Sequence, residues 1–330
     1  MAHYLNLNKI GFLLFILLSV PVNAQNDSHS TPNYPNHPVR MIVGFTPGSS
    51  TDVAGRIFAQ KFNEMWNVAV TVDNVPGAGG VLGVARVAKA PADGHTIMFT
   101  GNGAVTIASS LQPKPPYDVL RDFAPVSQVL SMPSVWAVYT GLKVSSIGDL
   151  IALAKSQSVT LSYASPGNAS PQHIAGELFK RIAKIDIIHV PYKGAVFTDV
   201  IAGRVPLTLQ NVGAILPLVR DGRLRAIAVT SLSRSAILPE VPTVAESGFP
   251  GFETISWFAL LVPKGTHPSI INKIHQDSLK ILATNDIKTK FHQLGVDLAG
   301  SSPEELASTI KNDMEKWSKV IKEAGISNTE

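Results

Sequence analysis

The residues of this chain best suited to chemistry are small, polar and gathered in four short loops. "GFTPGSSTD" (44–52) places Phe45, Ser49, Ser50, Thr51 and Asp52 around a Pro-Gly break, and "TGNGAVTI" (100–107) sets Asn102 between Gly101 and Gly103. "YASPGNASPQH" (163–173) carries Ala164, Ser165, Asn168, Ala169 and Ser170, and "LTLQNVGAI" (207–215) closes an apolar run on Gln210 and Asn211. Hydroxyls and amides without an activating base are poor nucleophiles but good hydrogen-bond donors. Where such a loop opens a helix, the first backbone N–H groups lack internal partners and the positive end of the dipole faces outward. A carboxylate or phosphate is then a fitting guest. A plain capped βα turn uses the same residues, and one such loop alone reads as that.

Recognised catalytic and cofactor patterns are missing. There is no HExxH, no GxSxG and no P-loop GK[ST], and the nine His form no cluster at ligand spacing along the chain. The one SxxK, Ser308 to Lys311, lies in an amphipathic helix, and "PGAGGVLG" (76–83) has Leu82 where a dinucleotide loop needs glycine. His173 sits one turn into a helix, where packing or a bond to a neighbouring carbonyl explains it, and Tyr192 and Lys193 read as a turn near the cleft wall rather than an acid–base pair. These features predict a protein that is not an enzyme and has no cofactor; an enzyme acting on a carboxylate is the alternative from another class.

The elements that must position the loops follow from periodicity. Met41, Ile42 and Val43 form a short apolar run, as in a strand buried on both faces; Val53, Ala54, Ile57, Phe58, Phe62 and Met65 then recur at helical spacing. Candidate strands are 39–44, 68–74, 96–100, 126–130, 135–139, 159–164, 186–190, 206–210, 225–230 and 257–262. Helical patterns cover 51–65, 80–89, 147–155, 171–184, 195–202 and 213–220, then 268–283, 286–294 and 303–324 with almost no strand between. This alternation predicts an α/β fold of two domains, each a mostly parallel sheet flanked by helices, with ligands beyond the carboxyl ends of the strands. A late strand followed only by helices predicts a return to the first domain, with crossings near 126–135 and 253–257. The division expected is a first domain of 37–130 with 256–330 and a second of 131–255.

Length and composition agree. With 330 residues, 45% hydrophobic and 16% charged, the chain can bury two sizeable cores. The net charge of +4 is not gathered in a basic block, which argues against nucleic acid as a partner. Lys9, the apolar run "IGFLLFILLSV" (10–20) and Val22-Asn23-Ala24 predict a signal peptide over 1–24, followed by a flexible tail over 25–36. The chain has no cysteine, hence no disulfide and no lipidated amino-terminal Cys. A soluble periplasmic monomer is expected.

Ordered motifs along the mature chain sharpen this. "YPNHPVRMIVGFTPGSSTDVAGRI", "VDNVPGAGG", "ADGHTIMF", "PYDVLRDFAPVSQV", "SYASPGNASPQHIAGELF", "HVPYKG", "GRLRAIAVTS", "LPEVPTVAESGFPGFE" and "SWFALLVPKGT" closely resemble the substrate-binding proteins of tripartite tricarboxylate transporters, the Bug receptors. The resemblance runs from about Tyr34 to Ile326. It implies a fold similar to type II periplasmic binding proteins, closing by a hinge on a small organic carboxylate that is passed to a two-component membrane transporter. Signalling to a membrane sensor is the other role such a receptor can take. It also implies a ligand carboxylate held between Ser50, Thr51 and Asp52 on one wall and Asn168, Ala169 and Ser170 on the other. The expected site further includes Phe45, Gly101, Asn102, Ala164, Ser165 and Gln210, with no metal. Three departures stand out: Ser49 and Ala169 where the family tends to have Gly, and Gln210 where it commonly has Asp. Gln210 at a strand end would disfavour a ligand ammonium, making amino acids poor ligands.

Overall fold

The structure, a computed structural model, describes residues 33–326 apart from 112, 157–159, 169 and 193–195. The expected signal peptide, the first part of the tail (25–32), and Ala169 and Lys193 therefore lie outside the described residues. In chain order the elements are β1 (Val39–Val43), α1 (Ser50–Trp66), β2 (Val70–Asn74), α2 (Val81–Val87), β3 (Thr96–Gly101), α3 (Val119–Asp122) and β4 (Phe123–Tyr139). There follow α4 (Ile147–Ser156), β5 (Ser162–Ser165), α5 (Pro171–Ala183), β6 (Ile188–Pro191), α6 (Val196–Ile201), β7 (Leu207–Asn211), α7 (Val212–Arg220) and β8 (Leu224–Val229). The chain ends with β9 (Ile255–Pro263), α8 (Pro268–Ala283), α9 (Asn285–Gln293), β10 (Asp297–Leu298) and α10 (Pro303–Ala324).

The helices begin where local chemistry starts them. The Ser49 hydroxyl accepts from Asp52 N–H at 3.2 Å and caps α1, and the Ser170 hydroxyl accepts from His173 N–H at 3.1 Å and caps α5, with Pro171 at the first helical position. Ser302 and Glu305 form a reciprocal capping box at the head of α10.

Strand alternation then builds cores on both sheet faces. Val39, Met41 and Val43 of β1 enter one apolar cluster with Phe58 and Phe62 of α1, while Ile42 between them enters another with Val84 and Met98. The second sheet is covered likewise, Leu207 and Leu209 of β7 packing with Trp136, Tyr163 and Phe179 on one side. β1, β2 and β3 run parallel, as do β5, β6 and β7, and antiparallel β9 and β4 complete the order β2-β1-β3-β9-β4-β7-β5-β6. A large apolar area on both faces is what permits parallel strands without a water-facing side.

One correction concerns the middle of the chain. The runs 126–130 and 135–139, expected as separate strands, are parts of the single strand β4. Pro125 and Pro133 look like strand breakers, because proline cannot donate to a ladder. In the fold, irregular register accommodates Pro125. Pro133 stands where β4 changes partner: it pairs β9 as far as Pro133 and β7 from Ser134 onward. The return path changes sheet between Thr254, whose N–H donates to Thr230 O at 2.9 Å, and Ile255, which pairs Pro133. A second correction concerns "TGNGAVTI", expected as a loop: Gly103–Ile107 is a wide helical turn running into a 3-10 turn at Ala108–Ser110.

Candidate functional site

Beyond the carboxyl ends of β1, β3 and β5 lies a cavity of about 360 Å³. The first sheet contributes Phe45, Ser49, Ser50 and Thr51 from the β1–α1 turn and Gly101, Asn102 and Gly103 from the end of β3. The second sheet contributes Pro166, Asn168, Ser170, Pro171 and Gln172 from the β5–α5 turn and Asn211 from the end of β7. Ser256, Trp257 and Phe258 of β9 line the space between them, and Val81, Ala108 and Leu111 add apolar surface. Two capped helix starts, one from each sheet, thus open onto one space. Its lining contains no Asp, Glu, Lys or Arg among the described residues.

The glycine-rich stretch at 76–83 serves this wall. A Cβ on Gly44 would lie 2.8 Å from Gly80 O, and one on Gly83 would lie 2.7 Å from Gly44 Cα. Backbone packs directly on backbone there, bringing Ala78 and Gly79 to the cavity beside the β1–α1 turn.

Asp52 organises that turn from behind. Its side chain is 3% exposed and does not line the cavity. One carboxylate oxygen accepts from Gly48 N–H at 2.8 Å and Arg56 Nε at 3.0 Å, and the other from Asn74 Nδ2 at 2.8 Å. Burial by itself would raise the Asp52 pKa, but these donors together hold it below the ordinary value.

The β5–α5 turn rests on a different support. The Ser165 hydroxyl meets His189 Nε2 at 2.6 Å and brackets Gly167, 3.1 Å from both its N and its O. The His189 ring stacks on His173 with centroids 3.8 Å apart. Burial drives both imidazoles toward the neutral form, His173 down to about 4 and His189 to about 3. Ser165 and Ala164 are therefore structural: neither lines the cavity, and the Ala164 carbonyl accepts from Thr208 Oγ1 at 3.0 Å.

Between the walls lies a polar knot that the sequence did not disclose. Gln172 Nε2 donates to Asn211 Oδ1 at 2.6 Å and reaches Ser134 Oγ and Ser256 Oγ at 3.2 Å each. Ser256 Oγ and Ser134 Oγ also donate to Asn211 Oδ1, at 3.1 and 3.3 Å. The knot joins α5, β4, β7 and β9 where the strands change sheet. Nearby, Asn102 Nδ2 holds Ile255 O at 3.0 Å and Trp257 Nε1 donates to Asp313 of α10 at 2.8 Å.

Of the expected site residues, Phe45, Ser50, Thr51, Gly101, Asn102, Asn168 and Ser170 meet around the cavity; Asp52, Ala164, Ser165 and Gln210 do not. The strand end needs a correction: successive residues of β7 face opposite sides, and it is Asn211 that reaches the cavity. Gln210 is buried away from it with Nε2 lacking a hydrogen-bond partner. Counting faces from Leu207 and Leu209 would have selected Asn211. Trp257 and Phe258 lay in the candidate strand 257–262 and were not among the expected site residues, yet both line the cavity.

Two α/β layers meeting at shared strands, with a polar cavity between two helix starts, are the arrangement of a periplasmic solute-binding protein. The comparisons agree. Residues 54–326 match the model of the tripartite tricarboxylate transporter family receptor, and the chain belongs to that family. Protein BugT of Bordetella pertussis is 36% identical over 299 residues, covering 90% of this chain and 92% of BugT. An R. palustris protein solved with adipate is 34% identical with a TM-score of 0.81, covering 89% of this chain and 99% of that one. MatC of Rhodopseudomonas palustris, solved with bound malate, is 27% identical with a TM-score of 0.77, covering 87% and 100%. No helix among the described residues is long and apolar enough to cross a membrane.

Proposed function

We propose that this protein captures a small aliphatic dicarboxylate in the cavity and delivers it, unchanged, to a two-component membrane transporter. The observation that carries this reading is the pair of capped helix starts, at Ser49 and Ser170, opening onto one space lined by no charged side chain among the described residues. Backbone N–H groups and the hydroxyls of Ser50 and Thr51 donate to carboxylate oxygens, while the Ser170 hydroxyl, given to Gly167 O at 2.8 Å, fixes the facing turn; removal from water strengthens each bond. Phe45, Val81, Leu111 and Trp257 give a methylene chain an apolar lining. The relatives solved with adipate and malate support the same ligand class.

In this reading the first sheet with α8 to α10 is one lobe and the second sheet is the other, with β4 and the segment before β9 as hinge strands. The receptor works as a periplasmic monomer released from its signal peptide, with no enzymatic step. The ligand-contacting set is Phe45, Ser50, Thr51, Gly101, Asn102, Asn168, Ser170 and Asn211.

A thermal-shift series over C4 to C8 dicarboxylates, their hydroxylated forms, matched amino acids and monocarboxylates tests the proposal. A ligand at ~100 times its Kd adds about 2.7 kcal/mol, a shift of several degrees. Incubation followed by recovery of intact ligand separates receptor from enzyme. A strong shift from amino acids and none from any dicarboxylate would overturn the assignment.

A further inference from the structure

At the far end of β1 and β3 from the cavity, His37 comes together with Asp93 and His95, two neighbours in the chain that lie far from it in sequence. His37 stands two residues before β1, and Asp93 and His95 stand just before β3; the two strands pair in parallel with Arg40 opposite Thr96, so their amino ends lie side by side. The His37 and His95 rings stack with centroids 3.5 Å apart and planes 16° from parallel. One ring nitrogen from each and one Asp93 carboxylate oxygen lie within 4.8 Å of one another. Asp93 Oδ1 accepts from His95 N–H at 2.9 Å and is 3.6 Å from His95 Nδ1, which also meets Asp93 O at 3.1 Å. The His95 side chain is 10% exposed, with the Tyr34 ring edge-on at 5.0 Å, and its Nε2 is buried without a hydrogen-bond partner.

We propose that His37, Asp93 and His95 bind one divalent transition-metal cation of the zinc class. Two imidazoles and one carboxylate form a borderline donor set, suited to Zn²⁺ and its neighbours and unsuited to Mg²⁺ or Ca²⁺, which take mainly oxygen. Zinc–ligand bonds of about 2.0–2.2 Å require the donor atoms to approach one another further. His37 and Asp93 are exposed. Binding turns the His37 ring out of the stack so that its lone pair converges with that of His95. Asp93 Oδ1, now bonded to His95 N–H, shares that bond or leaves the second carboxylate oxygen to the metal. Three protein ligands leave a fourth position for water. A bound cation would fasten the segment before β1 to the turn before β3, about 20 Å along the sheet from the carboxylate cavity.

Calorimetric titration of untagged, chelator-treated protein with Zn²⁺ tests this, alongside thermal unfolding in Zn²⁺, Mg²⁺ and Ca²⁺. One Zn²⁺ per chain and a rise in Tm with Zn²⁺ alone are expected. His37→Ala and Asp93→Asn, both at exposed positions, should each weaken zinc binding at least tenfold, and together they should abolish the Tm rise. His95→Gln should do the same where it folds; the two exposed variants decide the matter if it does not. Absence of saturable binding below about 100 µM Zn²⁺, equal affinity in the double variant, or an equal response to Mg²⁺ would overturn the site.

Discussion

The two helix starts that face the cavity look alike from the ligand's side and differ beneath. At α1 the turn hangs on a buried carboxylate, Asp52, tied to Gly48, Arg56 and Asn74. At α5 the turn hangs on a neutral stack, with Ser165 bound to His189 and His189 laid on His173. Both open onto a cavity whose lining carries no full charge among the described residues. The first ties its carboxylate to nearby cationic and amide donors, and the second buries imidazoles until they stay neutral. The same surface chemistry therefore rests on supports with different weaknesses.

Removing the ionic support should have the largest effect. Asp52→Ala leaves the Gly48 N–H, Asn74 Nδ2 and Arg56 without their acceptor. A loss of about 2–3 kcal/mol in urea unfolding is expected, with ligand affinity reduced more than tenfold. Asp52→Asn keeps the shape and should cost about 1 kcal/mol and only a modest loss of affinity. Tighter ligand binding in Asp52→Asn by more than tenfold would show that the carboxylate repels the ligand directly.

Acid should separate the two supports. The folded-state pKa values of His173 and His189 lie below the unfolded value of about 6.5, so the unfolded chain takes up protons first as pH falls. Their contribution is complete above about pH 6.5 and is lost progressively toward pH 4 and pH 3. The Asp52 pKa is depressed as well, so its contribution is intact while the histidines lose theirs between about pH 6.5 and pH 4, and fades only below that. Unfolding free energy should fall by more than about 1 kcal/mol between pH 7 and pH 5, and His189→Gln should flatten that slope. An unchanged slope in the variant would assign the acid sensitivity elsewhere.

The caps should respond equally. Ser170→Ala and Ser49→Ala should each cost about 1 kcal/mol, whereas Ser49→Gly should cost only a few tenths. A much larger loss at one of them would break the symmetry of the pair. Smallest of all is the salt effect: with no charged side chain in the lining among the described residues, ligand Kd should change less than about threefold between 10 and 150 mM NaCl. A steep dependence would reveal a charge contacting the ligand.

The sequence alone determined what short-range physics decides. Ser170-Pro171 and Ser302-Pro303 mark helix starts because a cap closes within three residues, and the alternation of apolar runs with helical patterns specifies α/β layers whatever their order. Ser50, Thr51, Asn168 and Ser170 were named through the resemblance to the receptor family, since the loops by themselves also read as plain capped turns, and the fold brings all four to one cavity. Tertiary structure decided the rest. Only assembly made β4 one strand, since Pro133 is tolerable solely at a change of partner. Only the faces of β7 put Asn211 rather than Gln210 at the cavity. Asp52 turned inward because Asn74 and Arg56 wait there. The knot of Ser134, Gln172, Asn211 and Ser256 comes from four elements up to 84 residues apart in its direct bonds, and no local pattern encodes such a meeting. Hydrogen-bond partners distant in sequence are selected by burial, which acts on the packed chain and not on any stretch of it.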